Sequence, residues 1–160
     1  MQWETPLPFN QRRLAYAAAL PEHDELLDPS KGSAVNMTEV AAAYTAAWNT
    51  GRPEAVAAFF APEGVIIINQ GNPWHGREGV AQMAAGFYAD MPDLHLTFDG
   101  LRTAGSHVAY LWTFTGTHVG TGNAVRVSGW EEWDVDVDGL VTFSRGWFDG
   151  EDYARQITGG

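Results

Sequence analysis

The chain has 160 residues, with twenty acidic side chains against nine basic ones, a formal net charge of -11, and no cysteine. That balance lacks the basic patch of a nucleic-acid binder and the cationic surface that draws proteins to anionic lipid, and the missing thiols exclude disulfide frameworks, thiol catalysis and cysteine-type zinc sites. The length favours one domain with a sizeable core, and seven Trp, five Tyr and eight Phe point to a large apolar interior, a pocket, or both.

Residues 1–35 read as an N-terminal arm. Pro6, Pro8, Pro21 and Pro29 interrupt it, the run from Asp28 to Ser33 has linker composition, and Gln11 to Leu20 alone is rich enough in Ala and Leu for a short helix. No basic region followed by a continuous apolar core opens the chain, and no apolar run approaches the ~20 residues that span a bilayer, so a cytoplasmic protein that does not meet a membrane is expected.

The domain proper, residues 36–160, is expected to start at Asn36, which with Glu39 resembles a capping box. Val40, Ala43, Tyr44, Ala47 and Trp48 follow at helical spacing. Gly51 ends that helix and Pro53 opens the next, whose buried side is Ala55, Val56, Phe59 and Phe60. Ala61 to Gly64 reads as a turn, Val65 to Asn69 as a short apolar strand, and the stretch from Trp74 to Gly79 leads into a third helix with Val80, Met83, Ala84 and Phe87 on one side. Four long strands then follow, from Leu94 to Thr103, His107 to His118, Asn123 to Val137 and Leu140 to Asp149, joined by short turns that imply antiparallel neighbours. Glu151 to Ile157 reads as a short terminal helix. The order implies an α+β fold, a curved antiparallel sheet wrapped around three helices to form a cone with an internal pocket.

Within the third long strand, Val125, Val127, Trp133, Val135 and Val137 alternate with polar residues, and Asp138-Gly139 is a hairpin signal in which both residues tolerate positive φ. Glu131 interrupts the apolar row. A carboxylate there is costly unless it is paired, protonated or facing a cavity.

In order and spacing, Ala47 to Gly51, Phe59 to Glu63, His75 to Gly79, Met91 to Leu94, Thr115 to Gly120, Asp138 to Val141, Trp147 to Asp149 and Ala154 to Ile157 together resemble the SnoaL-like polyketide cyclases of the nuclear transport factor two-like superfamily, over roughly residues 37–158. The resemblance implies the cone fold, a homodimer through the sheet, and a cofactor-independent enzyme of lyase or isomerase type. It also implies that a histidine in the Gly-Thr-His motif and an acid on the next strand act on the substrate. The first maps onto His118; the second maps onto Glu131 or Glu132, with apolar alternation favouring Glu131. The family's usual acid is Asp. Ketosteroid isomerases of the superfamily place a base where this chain has Ile67, Ile68 and Asn69, and the Asp–Arg–Asp set of limonene epoxide hydrolases would need Arg126 and Asp134, which alternation puts on the polar face.

The expected site is thus His118 and Glu131 as catalytic pair, with Asn69, Tyr44, Trp48, Tyr110, Trp112, Trp133, Arg145 and Trp147 around a small, apolar, carbonyl-bearing substrate. Arg145 shares the parity of Phe143 and Trp147, which makes it a candidate partner for Glu131. An imidazole suits proton transfer at neutral pH, and a buried carboxylate with a raised pKa suits proton abstraction next to a carbonyl. The remaining histidines show neither i,i+4 pairing nor an HExxH pattern, so no metal is expected. The alternative is a non-catalytic ligand-binding or dimerisation module on the same cone.

Overall fold

The structure, a computed structural model, describes residues 35–159. The expected arm lies outside the described residues except for Val35. Four helices and six strands follow in the order α1 (Met37–Trp48), α2 (Pro53–Ala57), β1 (Phe60–Ile68), β2 (Trp74–His75), α3 (Gly76–Asp90), β3 (His95–Ala104), β4 (His107–Thr117), β5 (Ala124–Val135), β6 (Val141–Phe148) and α4 (Gly150–Thr158).

The local signals act as read. Asn36 caps α1, its side chain accepting from the backbone N–H groups of Thr38 and Glu39, a bond set worth about 1 kcal/mol. Pro53 sits in the first turn of α2. The Asp149 carboxylate accepts from the Asp152 N–H and starts α4.

The six strands form one curved, unclosed sheet in the order β2-β1-β6-β5-β4-β3. Its neighbours are antiparallel except β1 and β6, which run parallel. This departs from the all-antiparallel expectation, and the reason is topological. The helix and strands between β1 and β6 return the chain to the β1 edge in the same direction. The expected turn at Ala61 to Gly64 is instead part of β1, as an irregularity in its register with β6 between Phe60 and Val65. Gly64 is needed there, since a Cβ would meet the Val141 carbonyl oxygen at 2.8 Å.

The β5–β6 connection is also longer than a two-residue hairpin. Only Gly139 takes positive φ, at 80°, and the Asp136 carboxylate closes the loop by accepting from the N–H groups of Asp138 and Leu140. The inner face of the sheet packs on α1 and α3 in one core that includes Tyr44, Trp48, Val80, Met83, Tyr110, Trp112 and Trp133. Among the described residues no helix is long and apolar enough to cross a membrane.

Candidate functional site

Strand register decides which side chains meet. Across β4 and β5, Tyr110 opposes Glu131; across β5 and β6, Glu131 opposes Gly146. Opposed residues share a face, so β4 presents Tyr110, Trp112 and Phe114 inward, β5 presents Glu131 and Trp133, and β6 presents Ser144, Gly146 and Phe148. These three strands, with α1, α3, β1 and the start of β3, surround a small cavity that opens to solvent. Trp112 and Phe114, Glu131, and Gly146 and Phe148 line it from the central strands; Trp48 closes it from α1, Met83 and Phe87 from α3. Ile66 and Ile68 of β1 and Leu94 and Leu96 complete the wall. The space is narrow. Trp112 can lie across the sheet only because Gly129 has no side chain: a Cβ there would stand 2.7 Å from two atoms of the Trp112 ring and 2.2 Å from the Trp147 carbonyl oxygen.

Among the described residues Glu131 is the single ionisable side chain in the cavity wall. It is only 6% exposed. Its Oε1 accepts from the Tyr44 hydroxyl at 3.1 Å and the Ser144 hydroxyl at 3.0 Å. Glu131 is also one of the residues that line the cavity. Burial pushes the carboxyl up to about 7. The hydroxyls of Ser144 and Tyr44 pull the other way, because they favour the ionised form, and the Trp133 indole N–H adds a smaller pull in the same sense. Desolvation wins, which leaves an acid close to half-ionised at neutral pH. Tyr44 itself is raised well above its ordinary value, first by burial and then by the charge of Glu131, so it stays a donor.

The other expected residues divide. Tyr44 touches Glu131, and Trp48 and Trp112 line the cavity. Tyr110 and Trp133 stand behind it, stacked with ring centroids 5.0 Å apart, Tyr110 bonded to Thr45 through their hydroxyls at 2.5 Å. His118 lies elsewhere. Strand β4 ends at Thr117, so the parity linking His118 to Phe114 lapses, and its imidazole Nδ1 meets the Thr121 hydroxyl at 3.1 Å inside the β4–β5 turn. It is not among the residues of the cavity wall. Asn69 is exposed, at φ 49°, and its Oδ1 accepts from the Phe148 N–H at 2.9 Å. Its amide ties the end of β1 to β6.

Arg145 and Trp147 require a correction. Arg145 opposes Glu132, and Trp147 opposes and stacks on Trp130, so both occupy the outer face. The Arg145 guanidinium lies 4.4 Å from the centroid of the Phe143 ring, not against Glu131. Apolar bulk misled the parity of β6, whose inward positions carry the small residues Ser144 and Gly146 because that face borders a hollow. Glu131, not Glu132, faces the cavity; the Glu132 carboxylate instead accepts from the Trp130 indole on the outer side. Sequence reasoning missed Ser144, Gly146 and Phe148. The signal was present, since the register of β6 on Glu131 fixes them, but it needed the true loop length. Among the described residues no group of three or more His, Asp or Glu is placed to hold a metal.

Comparison with known proteins bears on this geometry. The profile of the SnoaL-like domain matches residues 40–143. No curated protein matches the sequence. Solved structures of similar fold include a hypothetical protein from Catenulispora acidiphila with a ketosteroid isomerase-like fold, in complex with trimethylamine, at 22% identity over 75% of this chain and 92% of that one, TM-score 0.70. A protein from Jannaschia described as a SnoaL-like polyketide cyclase is 18% identical over 77% and 94%, TM-score 0.66. An LEH-like epoxide hydrolase from M. tuberculosis is 17% identical over 76% and 89%, TM-score 0.62. At these identities the likeness is one of fold.

Proposed function

The chain belongs to the SnoaL-like domain family, and from that membership and the geometry at Glu131 we propose that it is a cofactor-independent enzyme of lyase or isomerase type, moving a proton on a carbon next to a carbonyl. The observation that supports this is one carboxyl group, buried, raised to about 7, with one oxygen bonded by Tyr44 and Ser144, in the wall of an apolar cavity. A base whose pKa lies near the working pH combines adequate strength with adequate ionised population. Fixing Oε1 orients the carboxyl group. The substrate's carbon-bound proton passes to Oε2, and the same carboxylic acid returns it to a neighbouring carbon or to the oxygen. His118, outside the cavity wall, takes no part. A small-molecule ligand fits the fold, as the Catenulispora protein is a complex with trimethylamine.

The test is deuterium exchange at the α-carbon of small apolar carbonyl compounds in D2O, followed by NMR. We expect exchange with the wild-type protein and a loss of at least about 100-fold in Glu131→Gln, the usual scale for a lost general base. Equal exchange in both proteins would end the proposal. A second reading, a non-catalytic ligand-binding module, is favoured by one feature: no residue of the cavity wall other than Glu131 and the two tryptophans has a polar side chain to meet a developing oxyanion. Ligand binding without exchange is the result that selects it. The same proposal includes a homodimer through the outer face of the sheet, tested by sedimentation, and a cytoplasmic location, tested by cell fractionation.

A further inference from the structure

We infer that the cavity is a receptor for a small methylated ammonium ion, held between the carboxylate of Glu131 and the surrounding aromatic rings. This shares its site with the proposed reaction but needs no reaction, and such a ligand would compete with the substrate for Oε2.

An ionised carboxylate among apolar walls needs a counter-charge. Among the described residues the cavity wall contains no Lys, Arg or His, and Arg145, one strand away, lies on the opposite face of the sheet. Among the described residues none therefore supplies the counter-charge, which leaves a proton or a ligand to do so.

The walls then select the kind of cation. Trp48, Phe87, Trp112, Phe114 and Phe148 all border the space. Their rings form one connected group, with Phe114 centred 5.6 Å from Trp112, 6.2 Å from Phe87 and 6.4 Å from Phe148. Ring faces attract a cation within about 6 Å, and more strongly where water is excluded. A primary ammonium carries three N–H donors and would find one carboxylate, because the rest of the wall is Ile66, Ile68, Met83, Leu94, Leu96 and Gly146. A tertiary or quaternary methylated nitrogen carries one N–H or none. Its methyl groups suit the aliphatic walls, and its charge suits the rings and the carboxylate. The net charge of -11 on the chain also raises the local concentration of cations.

Titration supplies the discriminating measurement. The titratable groups packed toward Glu131 are Tyr44 from α1 and Tyr110 from β4; both are raised by burial and stay neutral across the accessible range. The α3 and β1 walls contribute Met83, Phe87, Ile66 and Ile68, and β6 contributes Ser144, none of which titrates. Among the described residues that pack on the cavity, Glu131 is thus the one whose charge changes near pH 7.

Choline and its uncharged carbon analogue, 3,3-dimethylbutan-1-ol, are the probes, titrated into the full chain by calorimetry. At about pH 8.5 choline is expected to bind at least about tenfold more tightly than the alcohol, the contribution of charge to a desolvated cation site. At about pH 5.5, with Glu131 protonated, the advantage should shrink to what the rings alone supply. In Glu131→Gln it should be equally reduced at both values, and Trp112→Leu should weaken choline more than the alcohol. Equal binding of the two probes at high pH, no binding of choline, or a preference that survives undiminished in Glu131→Gln would each overturn the inference, and the wild-type pH comparison keeps it testable if a variant fails to fold. Choline binding without any carbon-bound proton exchange removes the proposed reaction alone; exchange without choline preference removes this inference alone.

Discussion

Glu131 and Gly146 face each other across β5 and β6, so the one acid of the cavity stands opposite the one position there without a side chain. A Cβ at Gly146 would lie 3.8 Å from Glu131 Cγ and 3.6 Å from Ile68 Cγ1. Those are ordinary contacts, so the space beside the carboxylate follows from the choice of glycine rather than from backbone need.

Gly146→Ala is therefore expected to fold with a stability change within about 1 kcal/mol, while Gly146→Leu fills the hollow and abolishes ligand binding. The cost of the larger change should stay near the 1–3 kcal/mol of ordinary overpacking, roughly. Denaturant unfolding and a binding titration on the same samples check this. Undiminished binding by Gly146→Leu would move the site elsewhere.

Gly129 is a contrasting case. Its missing Cβ would collide with the Trp147 carbonyl oxygen as well as the Trp112 ring. Gly129→Ala should lose at least about 2 kcal/mol, since backbone cannot move aside as a side chain can. A melting temperature unchanged from wild type would show that β5 and β6 are spaced otherwise.

Stability should depend on pH through Glu131. Its folded pKa, about 7, lies above the ordinary 4.5, so the folded state holds the proton more tightly than the unfolded chain does. The stabilising contribution of the neutral carboxyl is full at low pH and is lost as pH rises from about 4.5 through about 7, a span on the order of 3 kcal/mol. Glu131→Gln cannot ionise, so its stability relative to wild type should rise across that window and level off above it. Parallel curves for the two proteins would contradict the buried, raised carboxyl.

Tyr44→Phe and Ser144→Ala each remove one donor to Oε1. Either change should push the Glu131 pKa further up and cost about 1–2 kcal/mol at alkaline pH, where the carboxylate most needs its donors. Carboxyl infrared absorption followed against pH reads the shift directly. A downward shift would mean that these hydroxyls do not serve the ionised form.

His118→Ala should leave both ligand binding and any proton exchange within about twofold of wild type, because the imidazole is held by Thr121 in the β4–β5 turn. A large loss of activity with binding intact would return His118 to the reaction.

Much of this molecule is written locally. Asn36 as a cap, Pro53 at a helix start, Gly139 at positive φ, and the alternation around Glu131 all concern residues a few positions apart, and local backbone preference with two-residue periodicity was enough to read them. The order of the helices and long strands, the α+β class and an acid on an apolar face could be read from the residues alone, whereas the short strand β2 could not. Which strand faces meet follows from register, which the chain's local pattern does not carry. The parallel pairing of β1 with β6, the outward turn of Arg145 and Trp147, the departure of His118 from the cavity wall and the arrival of Ser144 at Glu131 all depend on loop length and register. A one-residue change in register exchanges the two faces of a strand, and where a face borders a hollow its small residues do not announce themselves by hydrophobicity.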